Sequence, residues 1–98
     1  MARRRELRKE ESQRIHVKVR AAERFGLNLV RRDIDAIVTE VREGRAEFLG
    51  RQSNRLSVFR VRYQGAGMKI VYDSNRQTLA SVLTEDMPIT VIGKEVPV

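Results

Sequence analysis

The sequence predicts an α+β domain in which two N-terminal helices pack on one face of a three- to four-stranded antiparallel meander sheet. Three observations predict this class. Residues 12–44 carry apolar side chains at helical spacing, and residues 55–63 alternate with the two-residue period of a strand, with further short strand-like segments at 68–73 and 77–83. Short turn segments join the later strands, which requires neighbouring strands to run antiparallel. The length of 98 residues suits one domain with one core.

The first helix is predicted to begin near Ser12, a suitable N-cap, and to stop at Gly26. Its apolar residues fall in one stripe at the helical period, and we expect them to face the core: Ile15, Val19, Ala22 and Phe25. Residues 1–13 mix opposite charges densely. They are either an extension of this helix or a disordered basic arm, and residues 14–98 form the domain.

A second helix is predicted after residues 27–29, because a narrow apolar face recurs until Gly44: Ile34, Ile37, Val38 and Val41. Either Asn28 or Asp33 caps its start.

The remaining residues are predicted to form strands. Residues 46–50 are a short strand, and residues 55–63 alternate clearly, with Phe59 on one face and Arg60 on the other. A glycine-containing connection at residues 64–67 leads to a strand at 68–73, and a tight turn leads to another at 77–83. Residues 89–92 are a candidate edge strand.

Charge gives the first indication of function. The chain has twenty Lys and Arg against thirteen Asp and Glu, a formal net charge of +7. Such a surplus attracts polyanions, and arginine, which predominates, suits phosphate groups and stacks on bases. We therefore expect a nucleic acid as the partner.

Features that the sequence lacks argue against several environments and chemistries. No apolar run is long enough to cross a bilayer, so we expect no membrane partner and a cytoplasmic protein of a bacterium or a phage-infected cell. The sequence has no cysteine, one histidine and neither a nucleotide-binding glycine loop nor a nucleophile elbow. We expect no metal and no cofactor. RNA provides its own nucleophile, the 2′-hydroxyl, so this inventory favours RNA over DNA.

His16 is the side chain whose ordinary pKa lies closest to neutrality. Arg20 follows one helical turn later, and both flank the predicted buried stripe. A neighbouring guanidinium disfavours the charged imidazole and keeps it available as a base. The alternative is a histidine that packs or caps at the surface.

A basic row is predicted on one face of the sheet. Arg60 and Arg62 share that face, and Lys69 can join them from the next strand. The row is either a track for phosphates or the solvated face of the sheet. Tyr72 either stacks on a base or belongs to the core.

The order of these features resembles the small toxin-like ribonuclease domains of the barnase–EndoU–colicin–RelE group, in a branch common in phages and mobile elements. The likeness spans residues 14–84 and includes His16 with Arg20, residues 23–26, the arginine-rich strand, residues 71–73, and a strand at 79–83 centred on Ser81. It implies a metal-independent cleft that cuts RNA. His16 would be the acid/base and Ser81 the catalytic hydroxyl, where relatives often have threonine. It also implies a neutralising protein partner.

The first hypothesis is therefore a toxin-type endoribonuclease that acts through the 2′-hydroxyl. The alternative is a non-catalytic phage protein on the same scaffold, which binds nucleic acid or blocks a host machine. A third hypothesis is a structural or inhibitory protein whose basic face meets an acidic protein. The residues expected to contact nucleic acid are Arg20, Arg24, Arg60, Arg62, Lys69 and Tyr72.

Overall fold

A computed structural model describes residues 2–92, with side chains from Glu11 onward, as two helices and one four-stranded antiparallel sheet. The elements are α1 (Ala2–Phe25), α2 (Arg31–Arg42), β1 (Glu47–Arg51), β2 (Leu56–Tyr63), β3 (Ala66–Asp73) and β4 (Thr78–Leu83). The sheet order β1-β2-β3-β4 is a simple meander. The predicted α+β class, with helices packed on a meander sheet, is confirmed.

The helix α1 begins earlier than Ser12 and includes residues 2–13, so this segment is a helical extension. It packs chiefly against β4, and its fully buried residues are Val17 and Ala21. The predicted buried stripe was wrong: Ile15 and Val19 are 59% and 45% exposed, Ala22 is exposed too, and only Phe25 is partly buried against the core.

Polar contacts explain why the buried face of α1 is rotated from the apolar stripe. Gln13 donates a hydrogen bond to Asp73 Oδ2 (3.2 Å), and Arg24 donates one to the backbone oxygen of Val82 (2.6 Å). Both donors lie on the side of α1 that carries Val17. Hydropathy spacing counts such residues as solvent-facing, whereas their hydrogen bonds allow them to face the sheet.

The ends of the helices follow the predicted signals. Gly26 and Gly44 both have positive φ, +65° and +76°, which glycine adopts without a steric penalty. After α2, Gly44 N–H donates to Val41 O and Arg45 N–H to Glu40 O, the pattern of a Schellman motif. At the start of α2 the Asp33 carboxylate accepts the Val30 N–H (2.9 Å), so Asp33 rather than Asn28 supplies the side-chain acceptor.

The hairpin between β2 and β3 turns at Gln64 and Gly65, with φ of 51° and 78°. Positive φ at both central residues is the type I′ turn that matches the twist of two strands. The predicted strands at 55–63, 68–73 and 77–83 are confirmed within two residues at each end.

The predicted strand at residues 89–92 was wrong, because these residues are outside the sheet. The segment 84–92 instead contacts the sheet through its polar groups. Lys69 Nζ donates to Met87 O (2.7 Å), and Ile92 N–H donates to Arg51 O (2.6 Å). Of residues 89–92, only Ile92 makes a backbone hydrogen bond with the edge strand β1, and one such bond does not make a ladder.

The two faces of the sheet contribute to different buried groups. One face contributes Val61, Met68, Ile70, Leu79 and Val82 to the core shared with both helices. The opposite face carries Val58 and Val71, which face each other across β2 and β3 and are also buried. Residues that alternate with the core positions therefore lie on the face away from the helices.

Asp33 links α2 to the β2–β3 hairpin. The residue is 9% exposed, and its carboxylate accepts hydrogen bonds from the Tyr63 hydroxyl (2.7 Å), the Val30 N–H (2.9 Å) and the Gln64 amide (3.3 Å). The hydrogen bond from Tyr63, followed by the one from Val30, lowers the pKa of Asp33 below its ordinary value. The ionised form therefore stabilises the folded state.

We expect Asp33→Asn to lower the free energy of unfolding at pH 7. The folded-state pKa is the lower one, so this contribution is present above the unfolded pKa of about 3.9 and disappears as pH falls through the folded pKa. The free energy of unfolding is measured by chemical denaturation at a series of pH values from 7 to 2. Between these limits Asp33→Asn should lose less stability than the wild type. Asp35→Asn removes an exposed carboxylate from the same helix, and equal behaviour of the two variants would contradict the assignment.

Candidate functional site

The sequence-predicted catalytic residues His16 and Ser81 lie in different layers. His16 is exposed on α1. Ser81 stands opposite Val71 in the β3–β4 register, so it lies on the face of the sheet away from the helices. Its strand neighbour Val82 belongs to the core that the helices cover. The structure does not bring the imidazole and the hydroxyl into one cleft.

The two arginines predicted on α1 have local partners. Arg20 forms an exposed ion pair with Glu23 (3.1 Å), one turn along the same helix. Arg24 donates to Val82 O and thereby attaches the end of α1 to β4. Arg24 therefore stabilises the packing of the two elements, and its guanidinium is directed toward the protein.

The basic row predicted on the sheet lies on the face away from the helices. Arg60 stands between Glu47 and Lys69 in the register. Its guanidinium binds Glu85 (3.0 Å) and Glu47 (3.1 Å), and these two carboxylates raise its pKa. Lys69 donates to the Met87 carbonyl. Arg60 and Lys69 are thus held by internal acceptors, whereas Arg62 is exposed and forms no ion pair with residues 11–92.

Tyr72 lies on the helix-facing side of the sheet. It lines an open cleft of about 360 Å³ between the end of α2 and strands β1 to β3. We call it the aromatic cleft, and its walls include Val41, Arg42, Phe48, Ser57, Phe59 and Tyr72. It exists because α1 packs chiefly on β4 and α2 ends at Arg42, which leaves the helix-facing side of β1 to β3 partly open.

Three aromatic rings from three neighbouring strands line this cleft. Phe48 and Phe59 are opposite each other in the register, with ring centroids 5.5 Å apart at an interplanar angle of 62°. Phe59 and Tyr72 are 6.4 Å apart at 83°. Both pairs have the edge-to-face geometry that aromatic rings prefer. The half-buried rings offer apolar surface to a flat ligand.

Polar groups at the edge of the aromatic cleft complement its apolar floor. Arg42 is exposed and forms no ion pair with residues 11–92. Burial raises the pKa of Tyr72, and the charge of Arg42 acts in the opposite direction. The hydroxyl, protonated at neutral pH already at the ordinary tyrosine pKa of about 10, therefore remains a hydrogen-bond donor.

An apolar floor with a few polar groups at its edge is the usual composition of a ligand site. Within residues 11–92, no group of His, Asp and Glu side chains is arranged to hold a metal ion. No helix in the described part of the chain is long and apolar enough to cross a membrane.

Sequence reasoning missed Phe48, Phe59 and Arg42 as functional candidates. The alternation of β2 does place Phe59 and Tyr63 on one face, which is a signal for the floor of a cleft. The register of β1 and the end point of α2 decide which part of that face stays open, and neither follows from periodicity alone.

Comparisons of the chain with known protein families, with curated proteins and with solved structures find no match.

Proposed function

We propose that the protein binds single-stranded nucleic acid without cutting it, and that the aromatic cleft receives an unstacked base. The observation that supports this proposal is the row of Phe48, Phe59 and Tyr72 beside the exposed Arg42.

The chemistry of single strands suits this arrangement. Every base has an apolar π-face, so stacking on aromatic side chains binds a strand with little dependence on sequence. A guanidinium at the edge of the site binds the phosphate attached to the stacked base. The net charge of +7 adds long-range attraction for a polyanion. A duplex hides the faces of its bases, so the cleft favours a single strand.

The positions of the predicted catalytic residues favour binding over cleavage. Cleavage through the 2′-hydroxyl needs a proton acceptor and a proton donor around one phosphate. His16 and Ser81 lie on opposite sides of the sheet, and the walls of the aromatic cleft contain no histidine and no carboxylate. We therefore propose the non-catalytic alternative.

The test is the binding of fluorescently labelled RNA by anisotropy across a salt series. We expect single-stranded RNA to bind more tightly than a duplex of the same length, with log K falling steeply as log salt rises. The RNA should stay intact during long incubation in EDTA. A flat salt dependence or an absence of binding would contradict the proposal, and cleavage that disappears in His16→Ala would restore the ribonuclease hypothesis.

Arg42 and Arg62 form a matched pair for locating the interface. Both are exposed and form no ion pair with residues 11–92, but Arg42 lines the aromatic cleft and Arg62 lies on the opposite face of the sheet. We expect Arg42→Ala to weaken RNA binding by about three- to tenfold at low salt, since it removes one phosphate contact.

Arg62→Ala removes an equal charge. In the same experiment it should change the affinity by less than about twofold, because only long-range attraction is reduced. Equal losses in the two variants would mean that RNA does not occupy the cleft. A larger loss in Arg62→Ala would indicate that RNA binds the basic row on the opposite face of the sheet.

A further inference from the structure

A second cavity lies between α1 and the start of α2. This cationic groove has a volume of about 300 Å³ and is lined by Arg14, Lys18, Arg31, Ile15 and Glu11. We infer that the cationic groove binds a backbone phosphate of the same RNA strand whose base occupies the aromatic cleft, so that the strand runs along α2. This inference rests on the proposed function.

The groove carries two cations from α1 and one from α2. Arg14 and Lys18 are four residues apart and share one face of α1, and Arg31 meets them from α2. None of the three forms an ion pair with residues 11–92. By contrast, Arg45 and Arg60 of the same chain each have two carboxylate partners. Three like charges around one cavity repel one another, and an anion relieves that repulsion.

The geometry of α2 connects the groove with the aromatic cleft. Arg31 lines the groove and Arg42 lines the cleft. They are eleven residues apart, which is about three helical turns, so both lie on the same flank of α2. At about 1.5 Å per residue their separation along the axis is roughly 16 Å. At the helical spacing of about 3.4 Å per nucleotide this distance corresponds to about five nucleotides, and to fewer in an extended strand.

Two acidic residues lie close to this path. Glu11 lines the groove, and Asp35 is exposed on α2, one turn after Arg31. Each carboxylate repels a phosphate that passes near it. Glu11 therefore lowers the affinity of the groove for a phosphate, and neutralisation of its carboxylate should tighten RNA binding.

The length dependence of binding tests the inference. We expect Arg31→Ala and Lys18→Ala each to weaken binding of a ten-nucleotide single-stranded RNA by about three- to tenfold and to reduce the slope of log K against log salt by about 0.7, the value for one phosphate contact of a single strand. With a dinucleotide, whose single phosphodiester cannot contact both Arg42 and the groove, the same variants should bind like the wild type. Glu11→Gln should tighten binding of the longer RNA and leave the dinucleotide unchanged.

The controls separate this inference from the proposed function. Arg62→Ala removes the same charge from the opposite face of the sheet, so its salt slope should stay that of the wild type. If the groove variants behave like Arg62→Ala while Arg42→Ala weakens binding, the groove contact is refuted and the cleft stands. If wild-type protein binds neither RNA, the proposed function itself fails. Equal losses for the dinucleotide and the ten-nucleotide RNA would also overturn the proposed path along α2.

Discussion

Replacement of Tyr72 by leucine is expected to weaken the binding of single-stranded RNA about tenfold or more. Stacking of one base on an aromatic side chain contributes about 1–3 kcal/mol, and Tyr72 lines the aromatic cleft edge-to-face with Phe59. Leucine retains the apolar volume that packs beside the core but removes the π-face. The loss should therefore come from stacking and should persist at high salt, where phosphate contacts are weakened.

Two measurements make this result specific. The thermal midpoint of Tyr72→Leu should fall only modestly, because Tyr72 is half-buried and leucine keeps an apolar, though smaller, side chain against the core. Phe25→Leu makes the same kind of exchange beside the core but outside the cleft, and it should bind RNA like the wild type. Unchanged affinity in Tyr72→Leu, or equal losses in both variants, would mean that no base stacks in the cleft.

The fold could be predicted from local signals because each one is a short-range physical constraint. Gly26 and Gly44 end the helices with positive φ, and the two-residue period of residues 55–63 fixes which side chains share a face. Short turns then permit only antiparallel neighbours, which gives the observed order β1-β2-β3-β4.

The orientation of α1 could not be predicted in the same way. Hydropathy spacing selected Ile15 and Val19, whereas the helix packs through Val17 and Ala21. The difference depends on Gln13 and Arg24, whose acceptors lie on β3 and β4, about sixty residues away along the chain. Only the tertiary structure provides those acceptors, so a one-dimensional pattern cannot include their contribution.

The candidate site was predicted only in part for a related reason. Tyr72 was selected from the sequence and does line a cleft, but Arg60 and Lys69 were selected without knowledge of their acceptors. Glu85 and the Met87 carbonyl, which engage them, belong to a segment that carries no regular pattern. Phe48 and Arg42 join Tyr72 only through strand register and the length of α2, which are properties of the assembled fold.

Asp73, the last residue of β3, connects α1 to the sheet. Its side chain is fully buried, and Oδ1 accepts the N–H groups of Asn75 and Arg76 while Oδ2 accepts Gln13 Nε2 and Arg76 Nη1. The Arg55 guanidinium lies 3.7 Å away. Burial by itself raises the pKa of this carboxyl, but the hydrogen bonds from Gln13, Arg76 and Asn75, together with the charge of Arg55, outweigh it and leave the pKa below its ordinary value.

We therefore expect Asp73→Ala to lower the free energy of unfolding by about 2–4 kcal/mol, because it leaves several buried donors without an acceptor. A domain of this size has a total of about 5–15 kcal/mol, so the loss should be visible as a large drop in the urea midpoint. Asp73→Asn keeps Oδ1 and should lose about half as much. Since the folded-state pKa is the lower one, the wild type loses the part of this contribution that depends on ionisation as pH falls through it, and the stability difference between the wild type and both variants should narrow in acid. Asp86→Ala, an exposed carboxylate bound to Thr84, is the control, and a similar midpoint for Asp73→Ala and Asp86→Ala would contradict the role assigned to Asp73.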